Sequence, residues 1–187
     1  MERRDLTSGI FTISDVLTAE ECREQVALAD RRGFEVATIT AQDGPLLNTK
    51  IRNNDRVIVD DVELAQRLWT RVGKLIPRRR HGRQVRGLNE RLRYYRYTPG
   101  QQFTWHYDGA FQRDNGEQSL LTFMIYLNEG YEGGSTQFES LEVAGKQGMA
   151  LLFEHELLHQ GGRVTAGVKY VLRSDVMYGP LNAVRLK

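Results

Sequence analysis

The first residues that could do metal chemistry are His106 and Asp108, which flank Tyr107. They follow a strand-like run, and the alternation of side chains along a strand places residues 106 and 108 on the same face. One imidazole and one carboxylate could therefore converge on one ion. Alone, this pattern is weak, because a histidine near a strand end is more often a hydrogen-bonded structural residue.

A second group of candidate residues lies at 154–162, with the sequence Glu-His-Glu-Leu-Leu-His-Gln-Gly-Gly. One interpretation is the HExxH motif of zinc peptidases, in which His155 and His159 bind zinc from one helix and Glu156 is the general base. The apolar run before the motif and the two glycines at its end leave room for only about two helical turns, which is marginal. A zinc peptidase is therefore kept as the alternative from another functional class.

The competing interpretation takes only His159 from this motif and adds it to His106 and Asp108. Two histidines and one carboxylate on one face of an octahedron leave positions open for an oxo-acid and dioxygen, which is typical of non-haem Fe(II) oxygenases. Zinc would not need so many open positions. This interpretation predicts an iron centre.

A cation ten residues beyond His159 favours the iron interpretation. Lys169 begins the last strand-like run, in which alternation places it on the same face as Val171 and Arg173. A cation in an otherwise apolar strand costs free energy unless an anion meets it. Lys169 is therefore either a sheet-edge lysine in solvent or a fixed charge for the far carboxylate of a dicarboxylate that chelates the metal.

The elements that must position these residues are helices first and strands afterwards. The capping-box spacing of residues 18–21 predicts a helix over about 19–32, and a second helix follows Asp61 and ends at Pro77. From Arg91 onward, short aromatic and β-branched runs alternate with turn sequences. The runs are 92–97, 102–106, 120–127, 149–153 and 170–178, with shorter ones at 136–138 and 163–165. This order predicts a mainly β fold, a double-sheet jelly roll with flanking N-terminal helices packed outside it.

The composition is that of one globular domain. The chain has 187 residues, 40% of them hydrophobic and 27% charged, with a net charge of +2. The lone Cys22 excludes an intramolecular disulfide, and no stretch approaches the roughly 20 apolar residues of a membrane span. We expect a single cytoplasmic domain over residues 1–187 that makes no membrane contact. Residues 1–88 would supply helical and strand support and substrate-side loops, and 89–180 the core.

Arginine is concentrated in one segment, since five arginines lie within residues 78–86. Such a run predicts either a solvated loop or a docking surface for an acidic or phosphate-bearing partner. The run lacks interleaved aromatic residues and the net charge is almost balanced, so nucleic acid is not an expected partner.

Taken together, these residues resemble a known family, the 2-oxoglutarate and Fe(II)-dependent dioxygenases, and within it the prolyl 4-hydroxylase-like branch. The resemblance spans about residues 90–178, half of the chain, and rests on several motifs in the same order. These motifs are residues 93–103, 106–108, 126–128, 133–138, 157–162 and 169–173.

The resemblance implies a double-stranded β-helix of the cupin-like kind. It implies that His106, Asp108 and His159 are the catalytic iron ligands and that Lys169 is the partner of the C5 carboxylate of 2-oxoglutarate. Three further residues are implied to border this co-substrate: Tyr97, Tyr126 and Thr136.

The activity implied by the resemblance is hydroxylation of an unactivated C–H bond, in which dioxygen and 2-oxoglutarate are consumed and succinate and carbon dioxide are released. Ascorbate commonly keeps the iron of relatives in the ferrous state, so stimulation by ascorbate is expected by analogy. The leading substrate is a prolyl or other residue of a peptide or protein, and the alternative is a free amino acid or small metabolite. The polar segment 47–57 is expected to be either a substrate-contacting loop or an ordinary capped turn.

Overall fold

The computed structural model describes residues 1–41 and 44–181. The helices are α1 (Ala19–Arg32) and α2 (Val62–Val72), and a 3₁₀ turn at Gly73–Leu75 follows α2. The strands are β1 (Arg3–Thr7), β2 (Ile10–Ile13), β3 (Glu35–Val36), β4 (Ile39–Ala41), β5 (Gly44–Leu46), β6 (Asp55–Asp60), β7 (Arg79–Arg80), β8 (Arg83–Leu88), β9 (Arg91–Tyr97), β10 (Phe103–His106), β11 (Gln118–Tyr126), β12 (Glu132–Gly133), β13 (Thr136–Phe138), β14 (Glu142–Val143), β15 (Ala150–Glu154), β16 (His159–Gly161), β17 (Val164–Ala166) and β18 (Lys169–Pro180). None of the helices in these residues is long and apolar enough to span a membrane.

A large antiparallel sheet forms the centre of the molecule. Its strand order is β1-β2-β15-β11-β18-β9-β6-β3, and β8 pairs with the far end of β18 and with β7. Strand β18 is the longest and pairs with β11, β9 and β8 along its length. The backbone of β18 is therefore held on both sides where its side chains reach the site described below.

The two helices cover one face of this sheet. Leu92 of β9 and Phe123 of β11 are fully buried in the same hydrophobic cluster as Cys22 of α1 and Leu68 of α2. Helix α1 begins at the predicted capping box and covers the predicted range. Helix α2 ends at Val72, before the predicted end at Pro77, and a 3₁₀ turn fills part of the difference.

A second sheet with the order β10-β16-β13-β14 covers the opposite face. Phe138 of this small sheet and Phe153 of the large sheet meet edge to face, with ring centroids 5.1 Å apart. Alternation along β18 turns Val171 toward this side and Leu172 toward the helices, as the sequence predicts. The predicted arrangement of two facing sheets with outer helices is therefore what the structure contains.

The first half of the chain contains more strand than the sequence predicts. The expected order of helices first and strands afterwards is wrong, because β1 and β2 precede α1, and β6, which precedes α2, pairs with β9. Strand β2 is a run of four buried residues with no alternation of its own. Its strand state comes from pairing with β15, which lies far along the chain.

The arginine-rich segment is a β-hairpin rather than a loop. His81 and Gly82 connect β7 to β8 with φ angles of 46° and 69°, the left-handed conformations of a tight two-residue turn. Arg80 forms an ion pair of 2.7 Å with Glu154 of the large sheet. The predicted solvated loop is therefore wrong, since β8 pairs with β18 and holds the segment on the sheet.

Candidate active site

The pairing of two short strands brings two of the predicted ligands together. His106 ends β10 and His159 begins β16, and the two residues are direct partners in this antiparallel pair. Their ring centroids are 4.2 Å apart. Opposite residues on paired strands lie close enough for two imidazoles to bind one ion.

Asp108 lies just beyond the end of β10 and completes the group. Its backbone N–H donates to the carbonyl oxygen of His155 over 3.2 Å. Its Oδ1 lies 3.7 Å from Nε2 of His106, and its Oδ2 lies 3.6 Å from Nε2 of His159. One ligand atom from each of the three residues lies within 4.8 Å of the other two, which is close enough to hold one metal ion.

Backbone carbonyls orient both imidazoles. Nδ1 of His106 is 2.7 Å from the carbonyl oxygen of Thr104, and Nδ1 of His159 is 2.9 Å from that of Leu157. A carbonyl oxygen can only accept a hydrogen bond, so each Nδ1 carries the proton. Each Nε2 lone pair is then free for a metal ion.

The protonation states of the three residues also suit a metal site. Burial lowers the pKa of His106 to about 4 and also lowers the pKa of His159. Burial would raise the pKa of Asp108, but the guanidinium of Arg173 and the two imidazoles outweigh it and hold the pKa below its ordinary value. Near neutral pH the site therefore presents two neutral imidazoles and one carboxylate, the forms that bind metals.

Two residues that the sequence did not single out as site residues hold the Asp108 carboxylate. Nη2 of Arg173 lies 3.1 Å from Oδ2 of Asp108, and the hydroxyl of Thr122 donates to the same oxygen over 2.5 Å. The alternation of side chains predicted that Arg173 shares a face of β18 with Lys169, but it did not predict the contact of Arg173 with Asp108. Thr122 could not be found from sequence, because its position follows from the register of β11 between β15 and β18.

The structure contradicts the zinc peptidase interpretation. Residues 155–158 form a turn between β15 and β16, so His155 and His159 do not lie on one helix. His155 is buried, with Nδ1 3.1 Å from the hydroxyl of Thr122 and Nε2 2.9 Å from that of Ser119. Because both of its ring nitrogens contact hydroxyls, His155 is not placed as a metal ligand. It contacts Thr122, the residue that holds the Asp108 carboxylate.

Lys169 lies in a cavity behind the three candidate ligands, which we call the inner cavity. Its side chain is 2% exposed, and Nζ donates to the carbonyl oxygen of Gly134 over 2.5 Å. The rings of Tyr97 and Tyr126 lie 5.2 and 5.5 Å from Nζ. No carboxylate of the described part of the chain forms an ion pair with Lys169, and burial lowers its pKa to about 7.

The other three residues implied by the resemblance surround this lysine. The hydroxyls of Tyr126 and Thr136 lie 2.8 Å apart, and Tyr97 and Thr136 line the inner cavity together with Lys169. Burial raises the pKa of both tyrosines, so their phenols stay protonated and can donate hydrogen bonds. The inner cavity extends from Lys169 to the metal-binding group.

A second, wider cavity of about 650 Å³ opens on the other side of the metal-binding group, and we call it the outer cleft. His106 and Asp108 line both cavities. Ile51, Arg52 and Arg56 also line the outer cleft, so the polar segment 47–57 forms part of its wall.

The residues present fit Fe(II) and 2-oxoglutarate on two observations. Two neutral histidines and one carboxylate are the donor set of non-haem Fe(II) oxygenases. The buried ammonium of Lys169 needs an anion, and a dicarboxylate that reaches from the metal-binding group into the inner cavity would supply one.

Comparison with known protein families identifies a match, which covers most of the second half of the chain. Residues 92–174 match the 2OG-Fe(II) oxygenase superfamily. The matched segment contains all three candidate ligands and Lys169. The match confirms the resemblance seen in the sequence and supports a dioxygenase.

Curated proteins that are similar to this chain include prolyl 4-hydroxylases. The chain is 24% identical over 163 residues to probable prolyl 4-hydroxylase 8 of Arabidopsis thaliana, with 76% of the chain and 53% of the relative covered. It is 28% identical over 134 residues to prolyl 4-hydroxylase 1 of the same plant, with 69% and 46% covered. The chain therefore spans about half the length of these relatives.

Solved structures share the fold. A viral collagen prolyl hydroxylase from Paramecium bursaria Chlorella virus-1, solved as a 2OG complex, matches with a TM-score of 0.67 and 22% identity over 91% of this chain and 96% of the other. A prolyl hydroxylase from Trichoplax adhaerens, solved with a hypoxia inducible factor peptide fragment, matches with a TM-score of 0.71 and 19% identity over 91% and 84%. These likenesses confirm the predicted double-stranded β-helix.

Proposed function

We propose that this chain is an Fe(II)- and 2-oxoglutarate-dependent dioxygenase that hydroxylates an unactivated C–H bond of a prolyl or similar residue in a peptide or protein. One dioxygen and one 2-oxoglutarate would be consumed for each hydroxyl group formed, and succinate and carbon dioxide released. The observation that carries the proposal is that two cavities meet at one metal-binding group. At the far end of the inner cavity lies a buried lysine with no carboxylate partner among the described residues.

The inner cavity would hold 2-oxoglutarate. Lys169 would bind and orient the far carboxylate, and Tyr97 and Thr136 also line this cavity. Phe153 and Val171 supply apolar walls between Lys169 and the metal-binding group. These walls exclude water, which strengthens the attraction between the ammonium and the carboxylate.

The three ligands would present Fe(II) to both cavities. When bound, Fe(II) and 2-oxoglutarate together supply the activation of dioxygen and the oxidising power that breaks the C–H bond. The protein fixes the geometry: backbone carbonyls set both imidazoles, and Arg173 and Thr122 set the Asp108 carboxylate. A rigid set of three ligands would hold the ion at the point where the two cavities meet.

The outer cleft is better suited to a chain substrate than to a small metabolite. Trp105 and Tyr107 line it and are 44% and 63% exposed. Exposed aromatic side chains beside an open cleft are typical of surfaces that bind peptides. One structural relative is a prolyl hydroxylase solved with a bound peptide fragment, which supports the same substrate class.

Stimulation by ascorbate and a cytoplasmic location complete the proposal. Ascorbate rests on the resemblance alone, and its test is the rate of succinate formation with and without it. The cytoplasmic location is supported by the lone, fully buried Cys22. Fluorescent tagging of the protein in its host cell would test the location.

The test of the proposed function is conversion of 2-oxoglutarate to succinate by purified protein with Fe(II), followed by NMR. We expect slow turnover without a substrate and none in the His106→Ala variant. His81→Ala is the matched control, because His81 lies in the turn of the β7–β8 hairpin and lines neither cavity. Absence of both succinate and 2-oxoglutarate binding would refute the proposal.

A further inference from the structure

The wall of the outer cleft is strongly cationic. Four arginines line it, whereas Asp108 is the one carboxylate among its lining residues in the described chain. The arginines are Arg52, Arg56, Arg93 and Arg173. The cleft therefore carries more positive charge than its own residues neutralise.

The four arginines differ in how they are partnered. Arg93 and Arg173 share Asp175, at 3.0 and 3.3 Å. Arg56 donates to the hydroxyl of Thr38 over 3.1 Å and forms no ion pair within residues 1–41 and 44–181. Two of the four guanidiniums, those of Arg52 and Arg56, thus have no carboxylate partner in that part of the protein.

Arg52 is the most unusual of the four. It is only 4% exposed, and its guanidinium lies over the rings of Tyr95 and Phe103, at 4.6 and 4.4 Å from their centroids. Nε donates to Oδ1 of Asn54 over 2.8 Å, but the buried Nη2 has no hydrogen-bond partner among the described residues. A buried, unsatisfied guanidinium nitrogen is costly, and beside a cleft it indicates a ligand.

The aromatic contacts hold Arg52 near the metal-binding group. The Phe103 ring that lies under the guanidinium also stacks on the His106 ring, with centroids 3.4 Å apart. The Arg52 guanidinium is therefore one aromatic ring away from a candidate iron ligand. A group bound by Arg52 would therefore lie in the part of the outer cleft next to this ligand.

The positive charge of these arginines also lowers the pKa of the nearby Tyr95 phenol. Burial would raise its pKa, but the nearby guanidiniums outweigh that effect and lower it to about 8.

We propose that the outer cleft binds the substrate through a carboxylate, with Arg52 as its main contact and Arg56 as a second cation. The planar fork of a guanidinium matches the two oxygens of a carboxylate, and the rings on Arg52 keep the fork in place. The proposal rests on the proposed function and narrows its substrate to one with a carboxylate on the oxidised residue or its neighbour. Within the proposed peptide substrate this carboxylate is that of an acidic side chain. The main-chain carboxylate of a free amino acid has the same chemistry, and the experiment distinguishes the two sources.

Calorimetric titration of the full chain, loaded with Mn(II) and 2-oxoglutarate under nitrogen, tests the proposal without turnover. The peptide pair is an acetylated, amidated proline peptide flanked by glutamates and the same peptide flanked by glutamines. The amino acid pair is L-proline and L-prolinamide. We expect one carboxylate probe to bind about thirtyfold more tightly than its neutral partner, and the pair that shows this difference identifies the source.

Variants separate the Arg52 contact from a general charge effect. Arg52→Gln should bring the preferred carboxylate probe within about threefold of its neutral partner, and Arg56→Gln should reduce the difference partly. Arg67→Gln is the matched control, because Arg67 lies on α2 with a 60% exposed side chain and should leave the difference unchanged. If Arg52→Gln does not fold, Arg52→Lys and Arg56→Gln still test the cationic wall.

The proposal is wrong if neither carboxylate probe binds more tightly than its neutral partner, or if the difference survives in Arg52→Gln and Arg56→Gln. Either result with normal 2-oxoglutarate binding would leave the proposed function intact. Loss of 2-oxoglutarate binding by the unmodified chain would instead refute the proposed function itself.

Discussion

Nη2 of Arg173 lies 3.1 Å from Oδ2 of Asp108, so a partly buried guanidinium holds a candidate metal ligand from the side of the large sheet. The same Nη2 lies 3.3 Å from the hydroxyl of Thr122, which also donates to Asp108. The orientation of this carboxylate is thus fixed by β11 and β18, which are central strands of the large sheet. Metal affinity should therefore depend on residues that never touch the metal.

Replacement of Thr122 by valine should weaken metal binding. The change keeps the shape of the side chain but removes its hydrogen bond to Asp108 and leaves Nδ1 of His155 without its partner. Loss of a residue that orients a ligand costs about tenfold or more in metal affinity. Mn(II) titration followed by electron paramagnetic resonance measures this, with the exposed strand residue Thr165→Val as the control. Equal affinities of the Thr122 and Thr165 variants would show that the hydrogen bond does not position Asp108.

Replacement of Lys169 by methionine should stabilise the unliganded protein and abolish co-substrate binding. The buried ammonium has no anionic partner in the described chain, so a neutral side chain of similar length should raise the free energy of unfolding by about 1 kcal/mol or more. Urea unfolding measures the first effect and calorimetry with 2-oxoglutarate the second. Lys146→Met, an exposed position, should change neither. A destabilised Lys169→Met variant with normal 2-oxoglutarate affinity would contradict this role.

Binding of 2-oxoglutarate should weaken as the pH rises. Burial lowers the pKa of Lys169 to about 7, so the unliganded lysine loses its charge above that pH and must regain a proton to bind a carboxylate. Affinity should be constant below pH 7 and fall toward tenfold per pH unit above it. Calorimetry between pH 6 and 9 tests this, and Lys169→Arg supplies the comparison, because a guanidinium stays charged over the whole range. A flat profile for the unmodified chain would contradict the prediction.

The same lysine predicts the pH dependence of stability. The pKa of Lys169 in the folded chain lies below that of an unfolded lysine, so between about pH 7 and pH 10 the unfolded chain binds more protons. Stability of the unliganded protein should rise with pH through this window. Lys169→Met should remove this contribution, and urea unfolding at pH 7 and pH 9 measures the difference.

His155 and His159 should behave differently on substitution. Both ring nitrogens of His155 contact hydroxyls, so His155→Gln should keep Mn(II) affinity within about threefold of normal and lower stability by about 1–3 kcal/mol. His159→Gln should lose metal binding by about a hundredfold or more, since it removes one of three ligands. Mn(II) titration and urea unfolding of the two variants distinguish these roles. Equal loss of Mn(II) affinity in both variants would contradict the assignment.

Local patterns in the sequence were sufficient to predict the core strands. The aromatic and β-branched runs at 92–97 and 136–138 correspond to β9 and β13, because their alternation reflects one buried face. The same alternation predicted that Lys169 and Arg173 share a face of β18, which the structure shows. The capping box fixed the start of α1 for an equally local reason.

Features that depend on pairing between distant segments could not be predicted. The register of His106 opposite His159 and the contact of Thr122 with Asp108 are set by strands far apart in sequence. The position of Arg52 beside the site could not be predicted for the same reason, because the rings that it contacts, Phe103 and Tyr95, lie on other segments. The arginines of the outer cleft are scattered along the chain and form no run in the sequence. The arginine-rich run at residues 78–86 lies elsewhere and was the segment considered as a docking surface for an acidic partner.

A crystal structure of the protein with Mn(II) and 2-oxoglutarate tests the central claim most directly. We expect one ion bound by Nε2 of His106, Nε2 of His159 and the carboxylate of Asp108, with the far carboxylate of 2-oxoglutarate on Nζ of Lys169. An ion held by other residues, or a 2-oxoglutarate carboxylate that lies away from Lys169, would contradict the claim.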